Sequence, residues 1–213
     1  PEVDPTTNGV QMLENFLRGI CGLREVYALD DRIETSVAMI RRRAAGKKVM
    51  VLVSGGVDSA VTAALLTKAL PAENVYAIHI DHGMMRKNES DIICENLASL
   101  GLVNMKRVNA ADEFFFGKVD DGTGTLIGPL SETCDPEMKR KIVGSMFIKV
   151  TREAAEDLGI DFDNTFLAQG TLRPDLIESG NPDVSGYANK IKTHHNDVDI
   201  VRQARERGMI IET

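Results

Sequence analysis

The stretch Lys48-Val49-Met50-Val51-Leu52-Val53 is apolar at every position after the lysine. Side chains alternate between the two faces of a strand, so a run like this is stable only where helices cover both faces of the sheet. Ser54-Gly55-Gly56 follows, and then Val57, Ala60, Val61, Ala64, Leu65 and Leu66 recur at helical spacing. Val75-Tyr76-Ala77-Ile78-His79-Ile80 supplies a second strand. Strand, glycine turn, helix and strand make a βαβ unit, whose strands must be parallel. The expected fold class is therefore α/β, a doubly wound parallel sheet with helices on both faces.

The same reading extends along the chain. A helix over roughly 88–100 leads to a weaker strand around Val103 to Val108, and Thr165-Phe166-Leu167-Ala168 reads as another strand. Asp135-Pro136-Glu137 is a helix start: a side chain able to cap free amides, a proline at the first helical position and an acid near the positive dipole end. That helix is expected to run to about Asp157. Ahead of the sheet, Val10 to Ile20 and Ile33 to Ile40 read as amphipathic helices leading into the domain, since Val10, Leu13, Phe16, Leu17 and Ile20 share one face. Between Asp112 and Cys134 lie Gly117, Gly122, Gly124, Gly128 and Pro129 with little periodicity, which predicts a long mobile connection. Gly180 to Gly186, before Lys192-Thr193-His194-His195-Asn196, is the other loop candidate.

Composition excludes several functions. With 213 residues, 43% of them hydrophobic, one main core is expected. A net charge of −7 argues against the broad basic surface that nucleic-acid binding needs. No apolar run is long enough for a membrane span, and Pro1-Glu2-Val3-Asp4 does not open a signal peptide. Cys21, Cys94 and Cys134 are far apart with no CxxC spacing, so neither a disulfide framework nor a zinc site is expected, and a cytoplasmic protein fits. His194 and His195 are adjacent and point apart on a regular backbone, without a partner at ligand spacing, which argues against zinc there.

Ser54-Gly55-Gly56-Val57-Asp58-Ser59 carries the chemistry. Glycines let the backbone approach a ligand closely, and a helix start after a strand offers free amides to phosphate oxygens. No Gly-Lys-Ser/Thr follows, so this is not a Walker A loop, and amides and hydroxyls must cradle the charge. A carboxylate such as Asp58 does not contact phosphate favourably, so a bridging Mg²⁺ is expected. The bland alternative is a Gly-Gly turn capped by Ser54.

Ser-Gly-Gly-Val-Asp-Ser after an apolar strand resembles the pyrophosphate loop of the N-type ATP pyrophosphatases, which include GMP, NAD, asparagine and argininosuccinate synthetases and tRNA-thiolating enzymes. Four further stretches resemble the GMP synthetases, in their eukaryotic form: Asp81 to Arg86, Asp135 to Gly144, Gln169 to Ser179, and Ile191 to Asn196. The resemblance implies an adenine nucleotide alpha hydrolase-like fold and a ligase using ATP and Mg²⁺. The 2-oxygen of xanthosine monophosphate (XMP) would be adenylated with release of pyrophosphate, and ammonia would then displace AMP to give GMP. It further implies ATP contacts from Ser54, Gly55, Gly56, Val57, Asp58, Ser59, Ile80 and Asp81, with Asp58, Ser59 and Lys192 catalytic and Asp58 holding the metal. Arg140, Arg173 and Asp175 would bind XMP. Asp135, Glu137, Lys139, Lys141, Thr193, His194, His195 and Asn196 would belong to lids. Read without the resemblance, Lys139-Arg140-Lys141 is equally a solvated helix face, Arg173 and Asp175 a structural pair, and His82, where the family has asparagine, a solvated loop histidine.

In the resembling enzymes a glutamine amidotransferase domain precedes this region and a dimerisation domain follows it. Residues 1–30 are accordingly expected to be the tail of the former with a linker helix, and 31–213 the ATP-pyrophosphatase domain. The expected partners are XMP and ammonia as substrates, the amidotransferase domain in the same chain and a second copy through the C-terminal domain. Three rival readings keep the loop: an NAD synthetase, a tRNA-thiolating enzyme, which would want a reactive cysteine pair and a basic face, and an ATP-binding module without catalysis.

Overall fold

The apolar stretch becomes β1 (Val49–Leu52), and its side chains are buried or nearly so on both sides. A computed structural model describes residues 6–24, 29–120, 123–170 and 204–213. They fall into two units, Pro1–Thr35 and Ser36–Thr213. In the first, α1 (Gly9–Glu14) passes into a π-helical stretch, Asn15–Ile20. The helix expected over Val10 to Ile20 is therefore present, but its second half is wound more loosely.

The second unit is built on five parallel strands in the order β3-β2-β1-β6-β7. They are β1, β2 (Val75–Asp81), β3 (Asn104–Asn109), β6 (Phe166–Gln169) and β7 (Ile210–Glu212). Connecting helices are α2 (Leu29–Ala44), which ends in this unit with Ile40 and Ala44 buried, α3 (Val57–Ala69), α4 (Glu89–Ser99) and α6 (Pro136–Asp157). Alternation sorts the side chains. Met50, Ile78, Ile80 and Leu167 join Ile142, Met146, Val150 and Ala154 of α6 in one core cluster. Val51, Ala77 and His79 take the opposite face, where Ser90 of α4 reaches His79. Both faces are covered, as the apolar β1 requires.

β7 was not expected from the sequence. It pairs with β6 in parallel, Leu167 opposite Ile210 and Ala168 opposite Ile211. The helix predicted from Asp135 is α6, and the Asp135 carboxylate accepts from the Met138 amide at 2.8 Å, the expected cap. The connection over Asp112 to Cys134 carries more regular structure than its lack of periodicity suggested. It holds the end of α5 (Ala111–Phe116), a hairpin of β4 (Val119–Asp120) and β5 (Leu126–Ile127), and a 3₁₀ turn at Leu130–Glu132. Phe114, fully buried, and Ile127 tie it to the α6 core cluster. Elements this short leave no periodicity to read.

Candidate nucleotide site

From β1 the chain goes to β2 and β3 on one side of the sheet and later to β6 and β7 on the other. The order therefore reverses between β1 and β6, and open α/β sheets bind ligands outside the strand C-termini at that place. β1 leaves there through Ser54-Gly55-Gly56 into α3, and β6 leaves through Gly170.

Gly56, not Ser54, occupies the N-cap of α3, with extended backbone and no side-chain hydrogen bond to the helix. Ser54 Oγ accepts from the Gly56 amide at 3.4 Å, so the Gly-Gly turn capped by Ser54 is present, while no side chain among the described residues caps α3 itself. Ser54 Oγ lies 3.5 Å from Ser59 Oγ, and Ser59 Oγ donates to the Gly56 carbonyl at 2.9 Å. Two hydroxyls and the amides of one exposed helix start therefore lie together, an arrangement suited to phosphate oxygens. Gly55 has φ +89°, and a Cβ there would stand 2.5 Å from Ile93 Cδ1 of α4. The loop can lie this close to α4 only as glycine.

Asp58 sits in the first turn of α3. Its main-chain carbonyl accepts from Thr62 Oγ1 at 2.8 Å, while its carboxylate has no hydrogen-bond or ion-pair partner among the described residues. No cluster of three or more metal-ligating side chains occurs among them either. A lone uncompensated carboxylate beside a phosphate cradle fits Mg²⁺, which takes one or two carboxylates and completes its shell with phosphate and water.

Asp81 ends β2. Its carboxylate accepts from the Gly83 amide at 3.2 Å and from Arg107 Nη2 at 2.9 Å. Burial pushes this carboxyl up, but hydrogen bonds from Ser90, Arg107 and the Gly83 amide outweigh it, and it lies below its ordinary value. Arg107 also reaches Asp91 at 2.5 Å, and these two carboxylate partners raise its pKa. Burial raises the nearby Cys94 thiol despite the Arg107 charge, so this cysteine is not activated. Ile80 offers a ligand only its main chain, because its side chain is 6% exposed in the α6 core cluster. His82 is not a solvated loop histidine: it is half-buried, its Nδ1 accepts from the Met84 amide at 3.1 Å, and its ring lies 5.8 Å from Phe114 and 5.9 Å from Phe147.

Lys139, Arg140 and Lys141 are exposed near the start of α6, and Arg140 pairs with Glu137 one turn away. Lys192, Arg173, Asp175, Thr193, His194, His195 and Asn196 lie outside the described residues. Arg107 and His79 are the site neighbours that sequence reasoning did not single out. Neighbouring strands bring them together, since Arg107 pairs in register with His79. Only the alternation along a half-exposed edge strand would have hinted at this, with Lys106 turned to Asp157 and Arg107 to Asp81 and Asp91.

A parallel sheet with a glycine-rich, helix-start phosphate loop at its switch point defines an adenine nucleotide alpha hydrolase-like domain. An NH3-dependent NAD synthetase from Campylobacter jejuni, solved with nitrate, shares the fold with TM-score 0.51 at 16% identity, over 86% of this chain and 75% of that one. The sequence profile of the family described as NAD synthase matches residues 28–121. Over its whole length the chain is 49% identical to a GMP synthase [glutamine-hydrolyzing] of Dictyostelium discoideum and 48% identical to a probable GMP synthase [glutamine-hydrolyzing] of Caenorhabditis elegans. It spans 29% and 28% of those relatives' lengths. In sequence the chain is similar to a part of the GMP synthases, and its fold is that of the NAD synthetase. Among the described residues no helix is long and apolar enough to cross a membrane.

Proposed function

We propose that this chain is the ATP-pyrophosphatase part of a GMP synthase and adenylates XMP before amination. The observation that carries the reading is the start of α3, where two hydroxyls lie beside amides and a carboxylate that have no side-chain partner among the described residues, in a chain 49% identical throughout to a GMP synthase. The β- and γ-phosphates of ATP lie on the Val57 to Ser59 amides and the Ser54 and Ser59 hydroxyls, with glycine at 55 and 56 allowing the approach. Asp58 would hold Mg²⁺, which neutralises charge on the departing pyrophosphate. Asp81, held ionised by Arg107, lies at the neighbouring strand end and faces the nucleoside side of ATP.

The XMP 2-oxygen bonds to the α-phosphorus while the bond from that phosphorus to the bridging oxygen breaks, and pyrophosphate leaves with that electron pair. Ammonia then bonds to C2, the bond from C2 to the adenylated oxygen breaks so that AMP leaves with that electron pair, and the nitrogen gives up a proton to solvent. The work of the loop residues is to hold the two nucleotides in line and to stabilise charge on the leaving group. Arg140, Arg173 and Asp175 are proposed for XMP, Lys192 for charge in the transition state, and Asp135, Glu137, Lys139, Lys141 and Thr193 to Asn196 for closure over the intermediate. Ammonia from an amidotransferase domain of the same chain, and assembly as a homodimer, are parts of the same proposal.

The test is pyrophosphate release from ATP by the full-length protein with XMP and ammonia, alongside the deamidated nicotinamide dinucleotide as rival substrate. The family profile and the Campylobacter fold favour that rival as second reading. XMP-dependent release supports the GMP synthase reading, and release only with the nicotinate substrate replaces it.

A further inference from the structure

Val53 immediately precedes the phosphate loop. Its amide still donates to the Ile78 carbonyl of β2 at 2.9 Å, while its carbonyl lies 2.7 Å from His79 Nδ1. A carbonyl only accepts, so Nδ1 carries the hydrogen and donates it. The other ring nitrogen, Nε2, lies 2.9 Å from the hydroxyl of Ser90, the second residue of α4. His79 is fully buried and Ser90 is 3% exposed, so water does not substitute for either bond. An apolar side chain would be easier to bury at this position than an imidazole. What the imidazole provides is two directed bonds at a fixed separation.

We propose that His79 is a positioning residue for the nucleotide site, setting the exit of β1 into the phosphate loop in register with Asp81. The proposal rests on reading this loop as the ATP site. The imidazole joins the end of β1 to α4: one bond of the ring holds the Val53 carbonyl, and the other holds the Ser90 hydroxyl. Helix α4 thereby grips the loop at two points, with Ser90 acting through His79 on Val53 and Ile93, one turn further on, packed beneath Gly55. Arg107, in register with His79 on β3, closes Asp81 from the other side.

The test compares His79→Phe, His79→Asn and Ser90→Ala in the full-length protein. Calorimetry gives the ATP dissociation constant in Mg²⁺, and a thermal melt gives stability. Phenylalanine removes both bonds, and ATP binding is expected to weaken about tenfold, the size of one lost buried hydrogen bond. Asparagine places an amide donor near Nδ1 and is expected to restore binding to within about threefold of wild type, whereas Ser90→Ala weakens it by more than about threefold. Wild-type affinity in His79→Phe with only a lowered melting temperature, or asparagine no better than phenylalanine, overturns the proposal. Should His79→Phe not fold, an unchanged affinity in Ser90→Ala overturns it as well. A wild-type protein that does not bind ATP overturns the ATP-site reading and this proposal together, whereas binding that every variant retains overturns the proposal alone.

Discussion

A methyl group on Gly170 would stand 2.8 Å from the main-chain carbonyl oxygen of Asp58 and equally close to Thr62 Oγ1. The exit of β6 therefore lies directly against the first turn of α3, and the two walls of the switch point touch where the phosphate loop ends.

Gly170→Ala is accordingly expected to push α3 from β6. Neither obstacle is the loose end of a flexible chain: one is backbone, and the other is already bonded to Asp58 and Thr213. Destabilisation of about 1–3 kcal/mol is expected, with weaker ATP binding. Denaturant unfolding and an ATP titration check both, and unchanged values in the variant would show that this wall yields freely.

Asp58→Ala separates a metal role from a structural one. The carboxylate has no partner among the described residues to lose and stands in the first turn of α3, so stability should fall by no more than about 1 kcal/mol. ATP affinity should drop by about tenfold or more in Mg²⁺ and change little in excess chelator, since the proposed contact passes through the metal. Equal losses in both buffers would refute Asp58 as a metal ligand.

The Asp81 carboxyl, depressed from its ordinary value of 3.8, predicts a pH signature. A group that binds its proton more weakly in the folded state adds stability above its unfolded value, and that stability disappears as pH falls through the folded value. The stability gap between wild type and Asp81→Asn should therefore be flat from neutral pH to about pH 5 and narrow below about pH 4. A gap that widens on acidification contradicts the depressed carboxyl.

Asp135, expected from the family resemblance in a lid, is also the N-cap of α6. Asp135→Ala should destabilise by about 1 kcal/mol through the lost bond to the Met138 amide, and Asp135→Ser should recover most of that. If the serine variant is stable yet turns over slowly, the carboxylate has a further role in the reaction.

The sequence made some of this legible and hid the rest for physical reasons. β1, α3, β2 and α6 were readable because an all-apolar run, a long helical period and an Asp-Pro-Glu start each have one structural solution. β7 was not, because Ile210-Ile211-Glu212 is three residues long and acquires meaning only beside β6. α5 covers six residues, too few to display a helical period. At the site, the phosphate loop stood out through its glycines, but Asp81's partners come from α4 and β3, and no local pattern reveals which strand neighbours will face each other. Ser54 caps the Gly-Gly turn as its residue type suggests, but that its hydroxyl also lies beside Ser59 depends on how α3 follows the turn.

Thr62 Oγ1 and Thr213 Oγ1 are 2.9 Å apart across 151 positions of sequence. During synthesis the phosphate loop and α3 emerge well before β7 and the threonine that secures α3. At about 5–20 residues per second, the ribosome presents a nascent chain in which this anchor is missing for several seconds or more. Over that interval the edge of β6 that β7 will cover is open to foreign strands. Protection of the open β6 edge until β7 has been made is thus a demand that this strand order places on folding.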